Sequence, residues 1–260
     1  MTELLAAVPL GFVLGVLIGL TGVGGGALVA PTLYVVLGRS YAEAVALSLV
    51  YSFLTKIASA VQHVRQGTVH WRLSLLYGLT GIPGAIVGSR LVYAGTASTP
   101  RLLALLMGAI LLFAAALIAL DTRIASLMAW EKPFSPNDLG WPIRLAVALI
   151  QLVVGALLGL TSVGSGSLVI LSMVYLFRMS AREIIGSNIV IALLMVVPAG
   201  LTHYLTAGVP GALLGALLIG SLGGALIGAR MTMWFPDRPL KLATAGLIAL
   251  GAVATIVKAW

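Results

Sequence analysis

"GLTGVGGGALVAP" runs from Gly19 to Pro31, and Gly159 to Leu171 reads "GLTSVGSGSLVIL". Aligned in that register, Gly15–Val29 and Gly155–Val169 are identical at ten of fifteen positions. The register holds downstream without a gap: Glu43 pairs with Glu183, His63 with His203, and "PGAIVGSR" (Pro83–Arg90) with "GGALIGAR" (Gly223–Arg230). The chain therefore reads as two homologous halves, 1–120 and 141–260, joined by the polar stretch 121–140, a linker.

Both copies lie in long apolar runs. Of the 260 residues, 60% are hydrophobic and 8% charged, against about 25% charged in a soluble domain. This excludes a soluble fold. A β-barrel needs short alternating segments, and these runs are unbroken, so the chain is expected to be an all-α polytopic membrane protein. The N-terminus carries Glu3 and no basic segment, unlike a cleaved signal peptide. With no cysteine, disulfides, thiol catalysis and Cys-based metal sites are excluded. The net charge of +8 comes from basic residues scattered in short loops, which fits membrane orientation and not a nucleic-acid partner. No cofactor and no metal site are expected.

Each half offers an apolar run (3–37 and 142–177) followed by three helices, near 41–63, 72–93 and 101–120, then 181–205, 209–230 and 239–259. As one straight helix, 3–37 would extend about 52 Å, too long for a bilayer core of about 30 Å. It must break, most easily at Gly22, Gly24, Gly25 and Gly26. If each broken run crosses once, the halves are parallel and the Lys/Arg of the loops divide 8 to 6. If each is a hairpin, the halves are inverted. Loops 65–72, 123–144, 178–182 and 230–241 then share a side with 10 Lys/Arg against 4 opposite. The stronger bias favours inverted repeats with the linker in the cytoplasm.

Irregular backbone at membrane depth is tolerated where protein or a water-filled cavity satisfies it. Two broken tips would meet near the midplane, each followed by a half-helix whose N-terminal N–H groups attract anions. The candidate substrate-binding residues are Thr21, Gly22, Gly24, Gly25, Gly26, Thr161, Ser162, Gly164, Ser165 and Gly166. Close helix packing is the alternative role for such glycines, and Gly81, Gly84, Gly88, Gly224 and Gly228 read better that way. "GVGGGA" lacks the strand and βαβ unit of a dinucleotide fingerprint.

In "SLVYSFLTKIASAVQH", Ser48, Ser52, Thr55, Ser59 and Gln62 share a helical face flanked by Lys56 and His63. Ser48, Ser52 and Asn188, the counterpart of Ser48, join the candidate binding set. Lys56 is an intramembrane cation, a candidate for countercharge or coupling, with snorkelling to the surface as the alternative. His63 and His203 are candidates for proton coupling or interfacial caps. The second half replaces Ser52, Thr55, Lys56 and Ser59 by Ala192, Met195, Val196 and Ala199, so the site is expected to be asymmetric. No catalytic constellation is present. A Ser165/His203 dyad lacks the sequence context of a nucleophile, so no enzyme is expected.

At these residues the chain resembles the TauE/SafE family of sulfite exporters. The resemblance rests on "GLTGVGGGALVAPTLYVVLG", its echo "GLTSVGSGSLVIL" and "HVRQGTV", and spans essentially the whole chain. It implies a secondary transporter of the bacterial inner membrane, multi-pass and proton-linked, for sulfite, sulfonates such as sulfoacetate, or related organic acids. The second copy departs from the family pattern at Ser162, Ser165 and Ser167. The partners expected are a small anionic solute and the lipid bilayer; a homodimer is compatible with the sequence. An anion channel and a non-transporting membrane assembly protein are the alternatives.

Overall fold

The computed structural model describes residues 2–21, 25–94, 99–127, 134–137, 139–164, 166–177, 179–231 and 237–260. Among them the chain is all helical: α1 (Thr2–Thr21), α2 (Gly25–Val35), α3 (Tyr41–Arg65), α4 (Trp71–Leu91), α5 (Thr99–Leu127), α6 (Trp141–Thr161), α7 (Ser167–Leu176), α8 (Ala181–Ala207), α9 (Gly211–Met231) and α10 (Asp237–Ala259). Both apolar runs break at the glycine-rich stretch, as expected. Six helices among the described residues are long and apolar enough to cross a bilayer: α3, α5, α6, α8, α9 and α10. One boundary differs from expectation. α5 continues through 121–127 into the polar stretch assigned as linker, because Arg, Ile, Ala and Leu there are adequate helix formers and the next proline is Pro133.

Glycines set the closest helix contacts. Gly11 abuts Leu217 and Gly15 abuts Ser221, while Gly220 and Gly224 abut Val8 and Phe12, so α1 and α9 run in the same direction. On the other side, Gly84 abuts Leu152 and Gly88 abuts Ala156, while Gly155 and Gly159 abut Gly81 and Ala85, so α4 and α6 also run in the same direction. A Cβ on Gly84 would come within 1.9 Å of the Leu152 carbonyl oxygen. Only backbone fits, as in small-residue helix interfaces of membranes. This accounts for the packing role expected of Gly81, Gly84, Gly88 and Gly224.

The pairing crosses the halves. α1 packs on α9, and α6, which the repeat equates with α1, packs on α4, which it equates with α9. α3 and α8, equivalent to each other, run antiparallel, with Gly200 against Leu49 and Gly186 against Thr68. α5 and α10 are antiparallel too: Gly108 meets Ile256 and Ala252, and the Arg101 guanidinium lies 4.6 Å from the ring centre of Trp260.

Contacts also mark the two ends. At one end His70 Nε2 and Asn137 Oδ1 are 2.9 Å apart, the His70 N–H donates to Ser187 Oγ at 2.8 Å, and Phe134 of the linker pairs with Phe177 after α7. At the opposite end Tyr41 OH donates to the Leu160 carbonyl at 2.7 Å, and Tyr93 OH meets His203 Nδ1 at 2.6 Å. Buried Tyr51, Tyr77, Phe177, Leu33, Met107 and Met173 belong to one continuous core.

Candidate functional site

The two glycine-rich breaks meet. Gly26, in the first turn of α2, is packed so closely on Ser162, just past α6, that a Cβ on it would lie 2.0 Å from the Ser162 carbonyl oxygen. Ser162 adopts a left-handed conformation (φ 61°). Its N–H closes the last turn of α6 on the Leu158 carbonyl at 2.7 Å, and its hydroxyl bonds Ser48 Oγ of α3 at 2.9 Å. Gly164 turns the chain towards α7 with φ 113°, a region open to glycine.

α3 supplies the wall. Ser52 is 2% exposed, and its Oγ stands 3.1 Å from the place of a Cβ on Gly25. That hydroxyl has no hydrogen-bond partner among the described residues. It faces the start of α2, where the first four N–H groups lack partners within the helix and the helix dipole is positive. A buried hydroxyl without a partner is costly. The Tyr51 ring also lies 3.0 Å from that point, its OH hydrogen-bonded to Ser221 of α9.

The other expected residues distribute as follows. Asn188 is buried on α8 and its Oδ1 also lacks a partner among the described residues. Thr161 is buried, but its hydroxyl proton goes to the Leu157 carbonyl at 2.7 Å and its oxygen accepts the Val163 N–H at 3.1 Å. In this arrangement it holds the turn. Gly166 precedes α7 and is half-buried. Gly22, Gly24 and Ser165 lie outside the described residues, as does the side chain of Thr21.

Lys56 is half-buried on α3, one turn beyond Ser52. At 100° per residue, Ser48, Ser52, Thr55 and Ser59 fall in a sector of about 60°, opposite the exposed Leu54, Ile57, Val61 and Val64. Ser48 and Ser52 are buried, Thr55 is half-buried and Ser59 exposed. The exposure of Ser59 is therefore away from the apolar, lipid-type face of α3. His63 lies at the end of this helix, with Nδ1 2.9 Å from Thr68 Oγ1. His203 is at the far end of the molecule, fully buried, with Nε2 2.9 Å from the Gly159 carbonyl. A carbonyl only accepts, so Nε2 carries hydrogen, and the neutral ring accepts from Tyr93 OH at Nδ1. The two histidines do not come together, although the repeat pairs them.

The sequence reading missed Tyr41, Tyr51, Tyr93 and Gln151. Tyr41 and His203 cap the last carbonyls of α6 from two other helices. Gln151 is fully buried in α6 with neither amide atom partnered among the described residues. A polar amide in an apolar run was the available signal. Among the described residues no three His, Asp or Glu side chains gather as a metal site would require.

The family model for the sulfite exporter TauE/SafE matches residues 7–255. A probable membrane transporter protein of Bacillus subtilis, YjnA, is 34% identical over 95% of this chain and 97% of its own. A second from the same organism, YdhB, is 24% identical over 89% of this chain and 91% of its own. A third, from Methanocaldococcus jannaschii, is 27% identical over 80% of this chain and 76% of its own. No solved structure matches.

Proposed function

Because the chain belongs to the TauE/SafE sulfite exporter family, we propose that it is a secondary transporter carrying a small oxyanion across the bacterial inner membrane. The substrate class is sulfite, a sulfonate such as sulfoacetate, or a related organic acid. The observation that carries this reading is the meeting of Gly26 and Ser162 beside the unpartnered hydroxyl of Ser52. One tip from each half, one helix N-terminus and one free buried donor converge there, and an anion needs that combination.

The antiparallel pairs α3/α8 and α5/α10 support inverted halves, in which each broken run returns to its starting end. α6 leaves the linker end, and Phe177 after α7 is again beside the linker. The loops that this arrangement gathers with the linker hold 10 of the 15 Lys/Arg, which supports a cytoplasmic linker. Alternating access would then rock the two tips about their contact. Lys56, one turn from Ser52, supplies countercharge or carries the coupling proton.

The test is thermal stabilisation of the purified protein by sulfite, sulfate, sulfoacetate, taurine and acetate at matched ionic strength. A ligand bound only by the folded state raises stability with concentration. Stabilisation by one oxyanion that disappears in Ser52→Ala supports the reading, and stabilisation unaffected by that substitution contradicts the site. Counterflow exchange in proteoliposomes separates a carrier from a channel.

A further inference from the structure

At the linker end, the C-terminal turn of α3, the 66–70 turn and the first turn of α8 enclose a cleft of about 460 Å³ lined by His63, Gln66, Thr68, Arg182 and Ile185. The Thr68 hydroxyl oxygen lies 3.1 Å from the His63 carbonyl oxygen and 2.9 Å from the ring Nδ1. With that hydroxyl donating to the carbonyl, Nδ1 is the donor to Thr68 and Nε2 is left as an acceptor.

Arg182 is exposed, and its guanidinium makes no hydrogen bond or ion pair among the described residues. The neighbouring carboxylate does not neutralise it. Glu183 accepts from the Ser180 N–H at 2.9 Å and its hydroxyl at 2.8 Å, closing the cap of α8. His70, on the adjoining turn, is bonded to Asn137. The cleft thus pairs a free cation with one free acceptor. It also lies where the polar face of α3 ends: His63 is one turn past the exposed Ser59 and two past Lys56.

We propose that this cleft is a second anion site, an outer station at the linker end of the route, selective for an oxyanion that keeps one proton. Arg182 binds the charged oxygens, the Gln66 amide adds a donor, and His63 Nε2 accepts the remaining O–H. Hydrogensulfite fits this set, and fully ionised sulfate does not, because it brings no hydrogen to Nε2. The inference rests on the transport reading above, but its test reads the two sites separately.

Crystals of the full chain soaked near neutral pH with selenite, largely singly protonated there, or with selenate, fully ionised, would locate selenium by anomalous scattering. The expected result is selenium beside Arg182 and His63 with selenite and none with selenate. In Arg182→Gln, selenite affinity at the cleft should fall about tenfold or more, the loss of a bidentate charge-assisted contact, while any signal at Ser52 stays. No selenium in the wild-type cleft, equal occupancy by selenate, or a lipid phosphate filling the cleft in phosphatidylglycerol would each overturn the proposal. These readouts use the wild-type protein, so they stand even if the variant does not fold. Selenium in the cleft with none near Ser52 would support the outer site and contradict the central one.

Discussion

The carbonyl oxygen of Ser162 occupies the space that a side chain on Gly26 would fill, 2.0 Å from its Cβ position. Backbone on both sides leaves nothing flexible to move. Gly26→Ala should push the two tips apart, cost about 1–3 kcal/mol as overpacking does, and abolish transport. The melting temperature in detergent and flux in proteoliposomes check both. Retained flux would show that the contact is not part of the working site.

Ser52→Ala should behave in the opposite way. Its hydroxyl is buried without a partner among the described residues, so removing it relieves a desolvation cost of about 1–3 kcal/mol. Stability should hold or rise while oxyanion affinity falls. A drop in both would mean that Ser52 is structural.

Lys56→Met should leave the melting temperature unchanged or higher, since the half-buried cation has no partner among the described residues. Transport should be lost or released from its proton gradient. Wild-type coupling in this variant would remove Lys56 from the mechanism.

The glycine interfaces allow a paired control. Gly84→Ala meets the Leu152 carbonyl at 1.9 Å, whereas Gly215→Ala meets nothing within 4 Å. The first should destabilise the protein by about 1–3 kcal/mol and the second should be neutral or slightly stabilising, because Ala favours helix over Gly by about 1 kcal/mol.

Topology is directly testable because the chain has no native cysteine. Ser135→Cys in the linker should resist an impermeant thiol reagent added outside the cell, and Ala94→Cys, after α4, should react. The reverse pattern would invert the orientation.

Much of this fold was legible because repetition and period are local. The repeat gave the equivalence of α1–α5 with α6–α10, and the glycine clusters gave both breaks. The glycine stripe of α4 read as packing from spacing alone. The Ser48–Ser52–Thr55–Ser59 face followed from the 3.6-residue turn. The caps on α6 were not legible. Tyr41 and His203 reach it from helices far away in sequence, and neither residue type announces such a partner. The bond of the Thr161 hydroxyl to the Leu157 carbonyl was not legible either, because a hydroxyl looks the same in sequence whether it holds a turn or awaits a ligand. The reach of α5 into 121–127 was missed because polarity suggests a loop, while backbone propensity there permits helix.

The exchanged pairing of helices constrains how the protein is made. Among the described residues the glycine face of α4 rests on the backbone of α6, and that of α1 on the backbone of α9. When the ribosome has delivered the first five helices, α1 is still without its mate α9, which begins only at Gly211. The amino-terminal half is thus an unfinished surface awaiting its template. Contacts so distant along the chain form late and slowly, and small-residue faces left open meanwhile invite wrong partners in the bilayer. Expressed as two separate polypeptides, the halves should each be degraded alone and recover only when produced together.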